Sequence, residues 1–332
     1  MKIDFKHQHA AHCESGAIGS LLRHGGINVS EPMTFGIGGG LFFIHVPFMR
    51  LGDIPFTAYR DAPGVIIRRA CRRLGVKLIR QRFSDPVRGM QTLDDTLKRG
   101  VPVGLQTSVF WLPYFPPEMR FQFNAHNLVV YGKEGDHYLI SDPVGEQPVT
   151  CPSADLARAR FAKGLLAPKG LLYYPSQIPS DLDIPRLARD AMRAAAKRML
   201  NIPIPYFGVR GIRRLARTLP TWPRKKGVEQ AKRWVGSIVR MQEEIGTGGA
   251  GFRFLYAAFM QEAAVALGSS PLERLSERLT EIGDHWREFA VQGAMLCQGR
   301  VDGAPAYAEM SRLLEECASR EERLFRDLLD TV

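Results

Sequence analysis

The sequence predicts an α+β domain over residues 1–178 followed by an all-α domain over residues 179–332. Three observations carry this. The first half alternates helix-period and strand-period apolar patterns. Past the polar, proline-containing stretch 175–185, strand signals almost vanish. A chain of 332 residues also exceeds what a single core ordinarily holds.

Taken in order, the first helix follows Cys13. Ala17, Ile18, Leu21 and Leu22 recur at helical spacing, and Gly25-Gly26 closes the pattern. Residues 35–44 join a glycine cluster to an aromatic run, apolar enough for core or pocket wall. Residues 63–74 read as a helix, with Ile66, Ile67, Ala70 and Leu74 on one face and Arg68, Arg69, Arg72 and Arg73 on the other. A strand follows at 76–79. Thr92 is the expected cap of a short helix over 93–98, which Gly100 ends. The next strand covers 101–107, and an aromatic, proline-rich loop over 111–123 leads to a hairpin. Its strands are 126–132 and 138–142, joined by Lys133-Glu134-Gly135-Asp136. A helix near 154–161 and a strand at 170–174 complete the domain. Helical stretches then appear at about 186–200, 207–219, 227–245, 252–267, 271–298 and 304–330.

Composition is that of a soluble globular protein, with 45% hydrophobic and 24% charged residues. No apolar run approaches the roughly 20 residues that span a bilayer. The first residues lack the apolar core of a signal peptide, so the expected location is cytoplasmic. Five cysteines are scattered with no CxxC pair, which argues against a disulfide framework or a zinc ribbon. Charge is uneven. Between Arg186 and Arg240, 15 basic residues face only Asp190 and Glu229, within a net charge of +11. That points to an anionic partner: an acidic protein, a phosphate-bearing ligand, a membrane surface or nucleic acid.

Cys13 opens a helix, where the macrodipole favours a thiolate. A reactive thiolate needs a base and a group that orients the base. His126 begins one strand of the hairpin and Asp142 ends the other, so both arrive at one edge. Singly, each has a plain reading: a small buried thiol, a strand-end histidine, a turn aspartate before Pro143. Together they form a candidate Cys-His-Asp triad. The spacing of His7, His9, His12 and Cys13 is not a usual zinc pattern, so no metal is expected. Gly36-Ile37-Gly38-Gly39-Gly40 lacks the Lys-Ser/Thr of a phosphate loop. Gly246-Thr247-Gly248-Gly249-Ala250-Gly251 reads either as a flexible connection or as a helix start open to an anionic ligand. Phe42, Phe43, Phe48, Trp111, Tyr114 and Phe115 read either as core or as the wall of an acyl pocket.

These motifs resemble a known superfamily. A cysteine opening a helix, then a hairpin whose first strand starts at His126 and whose second runs into Asp142-Pro143, looks like the papain-like, C39-like cysteine peptidases. More closely, His12-Cys13-Glu14-Ser15-Gly16-Ala17 followed by Phe35-Gly36-Ile37-Gly38-Gly39-Gly40 resembles the N-terminal domain of the butirosin-biosynthesis acyltransferase H family. The segment Gly246 to Tyr256 is similar to the DUF4872-like helical domain that follows it.

The resemblance implies an N-acyltransferase of specialised-metabolite or lipid biosynthesis. Cys13 would carry the acyl group as a thioester, His126 would relay protons and Asp142 would orient it. The Cys13 N–H would serve the oxyanion hole, with Gln8 either its second donor or simply a surface polar residue. Expected substrate contacts are His12, Glu14, Gly38, Gly39, Phe42, Phe43 and Trp111. No bound cofactor is implied. The donor would be the phosphopantetheine arm of an acyl carrier protein, or CoA, and the acceptor a small-molecule amine. An acidic carrier protein would dock on the basic 186–240 segment. A membrane surface is another reading of that segment. Nucleic acid is not expected, because no binding motif accompanies the charge. A thioesterase or cysteine peptidase on the same triad, and a non-catalytic binding protein of the same fold, are the alternatives.

Overall fold

A computed structural model describes residues 1–245 and 248–332. The chain divides into two compact units. The first is Met1–Thr34 with Pro63–Leu182, and the second is Phe35–Ala62 with Asp183–Val332.

The first unit starts with α1 (Cys13–His24), and α2 (Glu31–Ile37) follows. A hairpin of β1 (Leu41–Leu51) and β2 (Ile54–Arg60) comes next, but it belongs to the second unit. The first unit resumes with α3 (Val65–Arg73), β3 (Lys77–Gln81), α4 (Pro86–Lys98) and β4 (Val103–Thr107). It ends with β5 (His126–Glu134), β6 (His137–Ser141), β7 (Val149–Pro152), α5 (Ser153–Arg160) and β8 (Leu172–Gln177).

The six strands form one antiparallel sheet in the order β3-β8-β4-β5-β6-β7. Leu93 and Leu97 of α4 pack with Val103, Leu105, Leu128, Val130 and Ile140 of the sheet in one core. The apolar stripe of α1 (Ala17, Ile18, Leu21 and Leu22) is fully buried, and α1 packs on β4 and β5. A helix starting at the nucleophile candidate therefore lies on the sheet that carries the base candidate. One expectation needs correction here. Helix α4 begins at Pro86, not Leu93, because Asp85 caps it by accepting the Val87 N–H (2.9 Å) and proline suits the first helical position. Thr92 sits inside the helix and donates its hydroxyl to the Arg88 carbonyl.

From Ile184 onward the regular structure of the described residues is helical: α6 (Ile184–Asn201), α7 (Gly208–Thr218), α8 (Trp222–Lys226), α9 (Val228–Glu243), α10 (Arg253–Leu267), α11 (Ser270–Cys297) and α12 (Gly303–Thr331). The second unit nevertheless takes in the β1–β2 hairpin, which the expected domain boundaries placed with residues 1–178. The cause is aromatic packing. Phe43 lies 5.4 Å from Tyr59 and 5.9 Å from Trp286, ring centroid to centroid, and none of the three is more than 1% exposed. Next to them is a fully buried ion pair. The Arg253 guanidinium donates to both Glu321 carboxylate oxygens (2.8 and 3.1 Å), and Trp286 Nε1 donates to Oε1 (2.7 Å).

The glycine-rich connection before α10 is part of this core, where it was expected to be a flexible joint or an anion site. Its Gly246 and Thr247 lie outside the described residues. From Gly248 to Phe252 every φ is positive, and a Cβ on Gly251 would come within 2.2 Å of the Tyr59 ring. The Ala250 N–H is taken by the Glu243 carboxylate (3.0 Å). Charge that is concentrated in sequence is dispersed in space. Arg198 pairs with Asp61 (2.7 Å), Arg213 with Glu315 (3.0 Å), Lys232 with Asp302 (3.8 Å) and Arg240 with Glu244 (2.9 Å). No helix among the described residues is long and apolar enough to cross a membrane.

Candidate active site

The site is built from the start of α1. His12 is its N-cap, with extended backbone angles, and its Nδ1 accepts the Ser15 N–H. The turn before Cys13 is gripped by Glu31. Its carboxylate accepts the N–H groups of Ala11 and His12, both at 2.8 Å, and the Ser15 hydroxyl at 3.1 Å. Burial nevertheless raises the Glu31 pKa, against the lowering effect of those bonds. Sequence reasoning gave Glu31 no role. The signal was a local helix start, Ser30-Glu31-Pro32, whose tertiary target is invisible in the sequence.

Gly16 brings the other two groups close. A Cβ there would lie 2.6 Å from both Ala10 Cβ and Pro143 Cβ, and the Ala10 N–H donates to the Pro143 carbonyl at 2.6 Å. Only glycine lets the segment containing Asp142-Pro143 lie against the first turn of α1. Gly16→Val should therefore cost about 1–3 kcal/mol of stability and reduce turnover by displacing Asp142. Urea unfolding with a turnover assay checks this. Wild-type values in both would show that the close contact is dispensable.

The expected hairpin forms. Val129 pairs with Ser141 and Val130 with Ile140, so His126 at the start of β5 and Asp142 just past β6 meet at one edge. His126 Nε2 lies 2.7 Å from Asp142 Oδ2. Cys13 lies near enough to the same imidazole to favour its charged form. Exposure is 5% for Cys13, 4% for His126 and 1% for Asp142, so water barely screens the three. Burial alone would pull the His126 pKa down, and it is the largest single influence. The Asp142 charge and hydrogen bond, with the hydrogen bond and charge of Cys13, outweigh it and raise the pKa to about 10. An imidazolium is thus held between a carboxylate and a sulfur.

Asp142 has two further donors. The Tyr114 hydroxyl reaches the same Oδ2 at 2.7 Å, and the Val144 N–H reaches Oδ1 at 3.2 Å. The Phe115 ring stands edge-on to His126 at 5.6 Å. Tyr114 and Phe115 were expected as core or as the wall of an acyl pocket, not as partners of the dyad. Their contacts with the dyad depend on how that loop folds back, which periodicity does not report.

A raised imidazole pKa has a consequence for stability. Since His126 moves from 6.5 to about 10 on folding, its charged interactions contribute fully below about 6.5. That contribution is lost as pH climbs through about 10. The difference in unfolding free energy between the wild type and His126→Gln should shrink across this window. A difference independent of pH would remove the imidazolium from the account.

The remaining candidates are placed as follows. Glu14 is fully buried, and its carboxylate accepts the Ile67 N–H (3.3 Å) in the first turn of α3. It caps a helix there, in place of the expected substrate contact. His12 is 1% exposed and also serves as a cap. Gln8 is solvent-exposed. Gly38, Gly39, Phe42 and Phe43 belong to the second unit. There the Gly39 carbonyl accepts from Arg198, whose guanidinium covers the Phe42 ring, and Phe43 is interior core. The plain-core reading of Phe43 therefore replaces the pocket-wall reading. Trp111 is 38% exposed and lies under the Arg158 guanidinium. A cavity of about 320 Å³ borders Asp142, though neither Cys13 nor His126, and is lined by Tyr114, Phe115, Met119 and Val149 together with Glu146 and Gln147. A second cavity of about 480 Å³, between Arg82, Phe83, Phe161, Lys163 and Lys169, includes none of the three residues. His7 uses both ring nitrogens, on Ser141 Oγ (2.8 Å) and the Gly145 carbonyl (3.1 Å). Among the described residues, no group of three or more His, Cys, Asp or Glu side chains is arranged to hold a metal ion.

A thiol, an imidazole held by a carboxylate and the first turn of a helix can together attack a carbonyl carbon and stabilise the oxyanion that forms. Two family models match the chain. Residues 12–143, which include Cys13, His126 and Asp142, match the family model described as butirosin biosynthesis protein H, N-terminal. Residues 154–328 match the model described as domain of unknown function DUF4872. Among solved structures, the chain is similar to one described as a C39-like peptidase from Bacillus anthracis. The identity is 16%, the TM-score is 0.39, and the match covers 54% of this chain and 100% of that one. No curated protein matches the chain.

Proposed function

We propose that this chain, which belongs to the DUF4872 family and carries a match to the butirosin biosynthesis protein H N-terminal domain, is a cysteine acyltransferase. It takes an acyl group from a carrier-protein thioester and passes it to an amine. The observation that carries the reading is the buried line from Cys13 through His126 to Asp142, with its 2.7 Å imidazole–carboxylate bond.

The Cys13 thiolate attacks the donor's thioester carbonyl. The oxyanion of the tetrahedral intermediate faces the Cys13 N–H, which as the first residue of α1 has no partner within the helix. Collapse breaks the bond to the donor sulfur, and His126 gives that leaving thiolate its proton. The acyl group is then a thioester of Cys13. An incoming amine attacks it, His126 takes the amine proton, and the Cys13 thiolate leaves as the amide forms.

The donor's carrier is acidic in this reading, and the catalytic unit offers it cations. Arg68, Arg80 and Arg82 stand close together. The Arg80 pKa is lowered by burial and by the charges of Arg68 and Arg82, with Tyr173 and Glu14 opposing. Such a cluster attracts an acidic protein and speeds encounter. The phosphopantetheine arm, or CoA carrying the same group, would deliver the acyl carbonyl.

The test is product analysis. With an acyl-carrier-protein thioester and a panel of amines, the reading requires an amide product that depends on Cys13. Free acid as the sole product with every amine would make the protein a thioesterase. Arg80→Glu with Arg82→Glu should raise KM for the carrier-borne donor while sparing a short thioester mimic.

A further inference from the structure

The second unit exposes three large apolar side chains at the tip of the β1–β2 hairpin: Phe48 (71%), Met49 (51%) and Leu51 (48%). Earlier in the same strand, Phe42, Phe43 and Val46 are buried, so the hairpin has an inward face and the tip residues are not part of it. Scattered exposed apolar residues need no explanation, but three within four residues at the end of one strand do.

The tip is fixed in place. Phe48 packs edge-on against Tyr206 (5.2 Å), and Trp234 Nε1 donates to the Asp53 carbonyl (2.9 Å). The Trp222 and Trp234 rings pack edge to face, 5.2 Å apart. Cations surround the tip. Arg50 and Lys226 lie 5.7 and 5.8 Å from the Trp234 ring, and Arg214 lies 4.7 Å from the Tyr206 ring. Arg224 and Lys225 are exposed beside Lys226 on α8. The Asp53 carboxylate is matched by Arg233 at 3.4 Å. Whereas Arg198, Arg213 and Lys232 are satisfied by acids within the unit, this part of the basic segment gathers around an apolar point.

We propose that the β1–β2 tip and the cations around it form a docking surface for an anionic lipid bilayer. Phe48, Met49 and Leu51 enter the interfacial region, while Arg50, Arg214, Arg224, Lys225 and Lys226 meet headgroup phosphates. Apolar groups flanked by Lys and Arg are what binds to such an interface, through buried area plus attraction to anionic lipid. An acidic carrier protein would use the cations. It would gain little from three apolar side chains on a turn, which presents no groove or flat face to a folded partner. A bilayer accepts them irrespective of shape.

The experiment is sedimentation of the full chain with vesicles at low salt. Binding to phosphatidylglycerol vesicles, and not to phosphatidylcholine alone, is expected. Phe48→Ser with Met49→Ser and Leu51→Ser should weaken it by about tenfold or more. Lys225→Ala and Lys226→Ala should each weaken it by about fivefold. Circular dichroism should be unchanged, since all five side chains are exposed. Absence of binding to anionic vesicles overturns the proposal, and so does binding that the triple serine variant leaves intact. Variants that leave vesicle binding unchanged but raise KM for a carrier-protein donor also overturn it, and would assign the surface to the carrier.

Discussion

His126→Ala lowers acyl-transfer turnover by about 10²–10⁴-fold and leaves the fold in place. The loss is expected because in the proposed mechanism His126 moves two protons, one to the departing donor thiol and one from the arriving amine. The fold persists because Asp142 is not orphaned. It keeps the Tyr114 hydroxyl at 2.7 Å and the Val144 N–H at 3.2 Å, so the buried carboxylate still has donors on both oxygens. Asp142→Asn should lose less, under about a hundredfold. An amide oxygen at the Oδ2 position can still accept from His126 and Tyr114. What is lost is the charge that holds the ring as imidazolium, along with a good contact to the Val144 N–H. Turnover assays beside circular dichroism separate the cases. An unfolded His126→Ala would make the histidine a structural residue.

Glu321→Ala destabilises the second unit by about 3–5 kcal/mol. The carboxylate serves the Arg253 guanidinium through two bonds and Trp286 Nε1 through a third, and neither it nor Arg253 is exposed to solvent. Removing it leaves a buried cation whose one remaining acceptor among the described residues is the Gly251 carbonyl (2.8 Å). That carbonyl belongs to the run of positive φ angles from Gly248 to Phe252, which the surrounding contacts must hold in place. Against a total stability of about 5–15 kcal/mol, the loss is large. Denaturant titration reads it directly, and a shift below about 1 kcal/mol would show that the ion pair is not central to that core.

Much of the fold was legible because it is written locally. The α+β plan with a helical C-terminal part rests on apolar periods within 10–20 residues, and the helices after Ile184 follow those periods closely. His126 and Asp142 were legible for the same reason: one short hairpin fixes their proximity. The misses share a physical cause. The strand with Phe42 and Phe43 looked like part of the first domain, because its partner Trp286 is far away in sequence. Glu31 grips the turn before Cys13 and Tyr114 holds Asp142 through contacts that no spacing encodes. Net charge along 186–240 read as a single face, yet helices point successive residues in different directions and acids from α12 and from the β2–α3 connection neutralise several of them. Thr92 was taken as a cap because the stronger signal, Asp85-Pro86, lay about two turns upstream.

The measurement that bears most directly on the account is intact mass after incubation with an acyl-carrier-protein thioester in the absence of amine. The account predicts a single acyl adduct on the wild-type chain, its disappearance when amine is added, and no adduct on Cys13→Ala. An adduct that survives in Cys13→Ala, or amide formation by that variant at the wild-type rate, would contradict it.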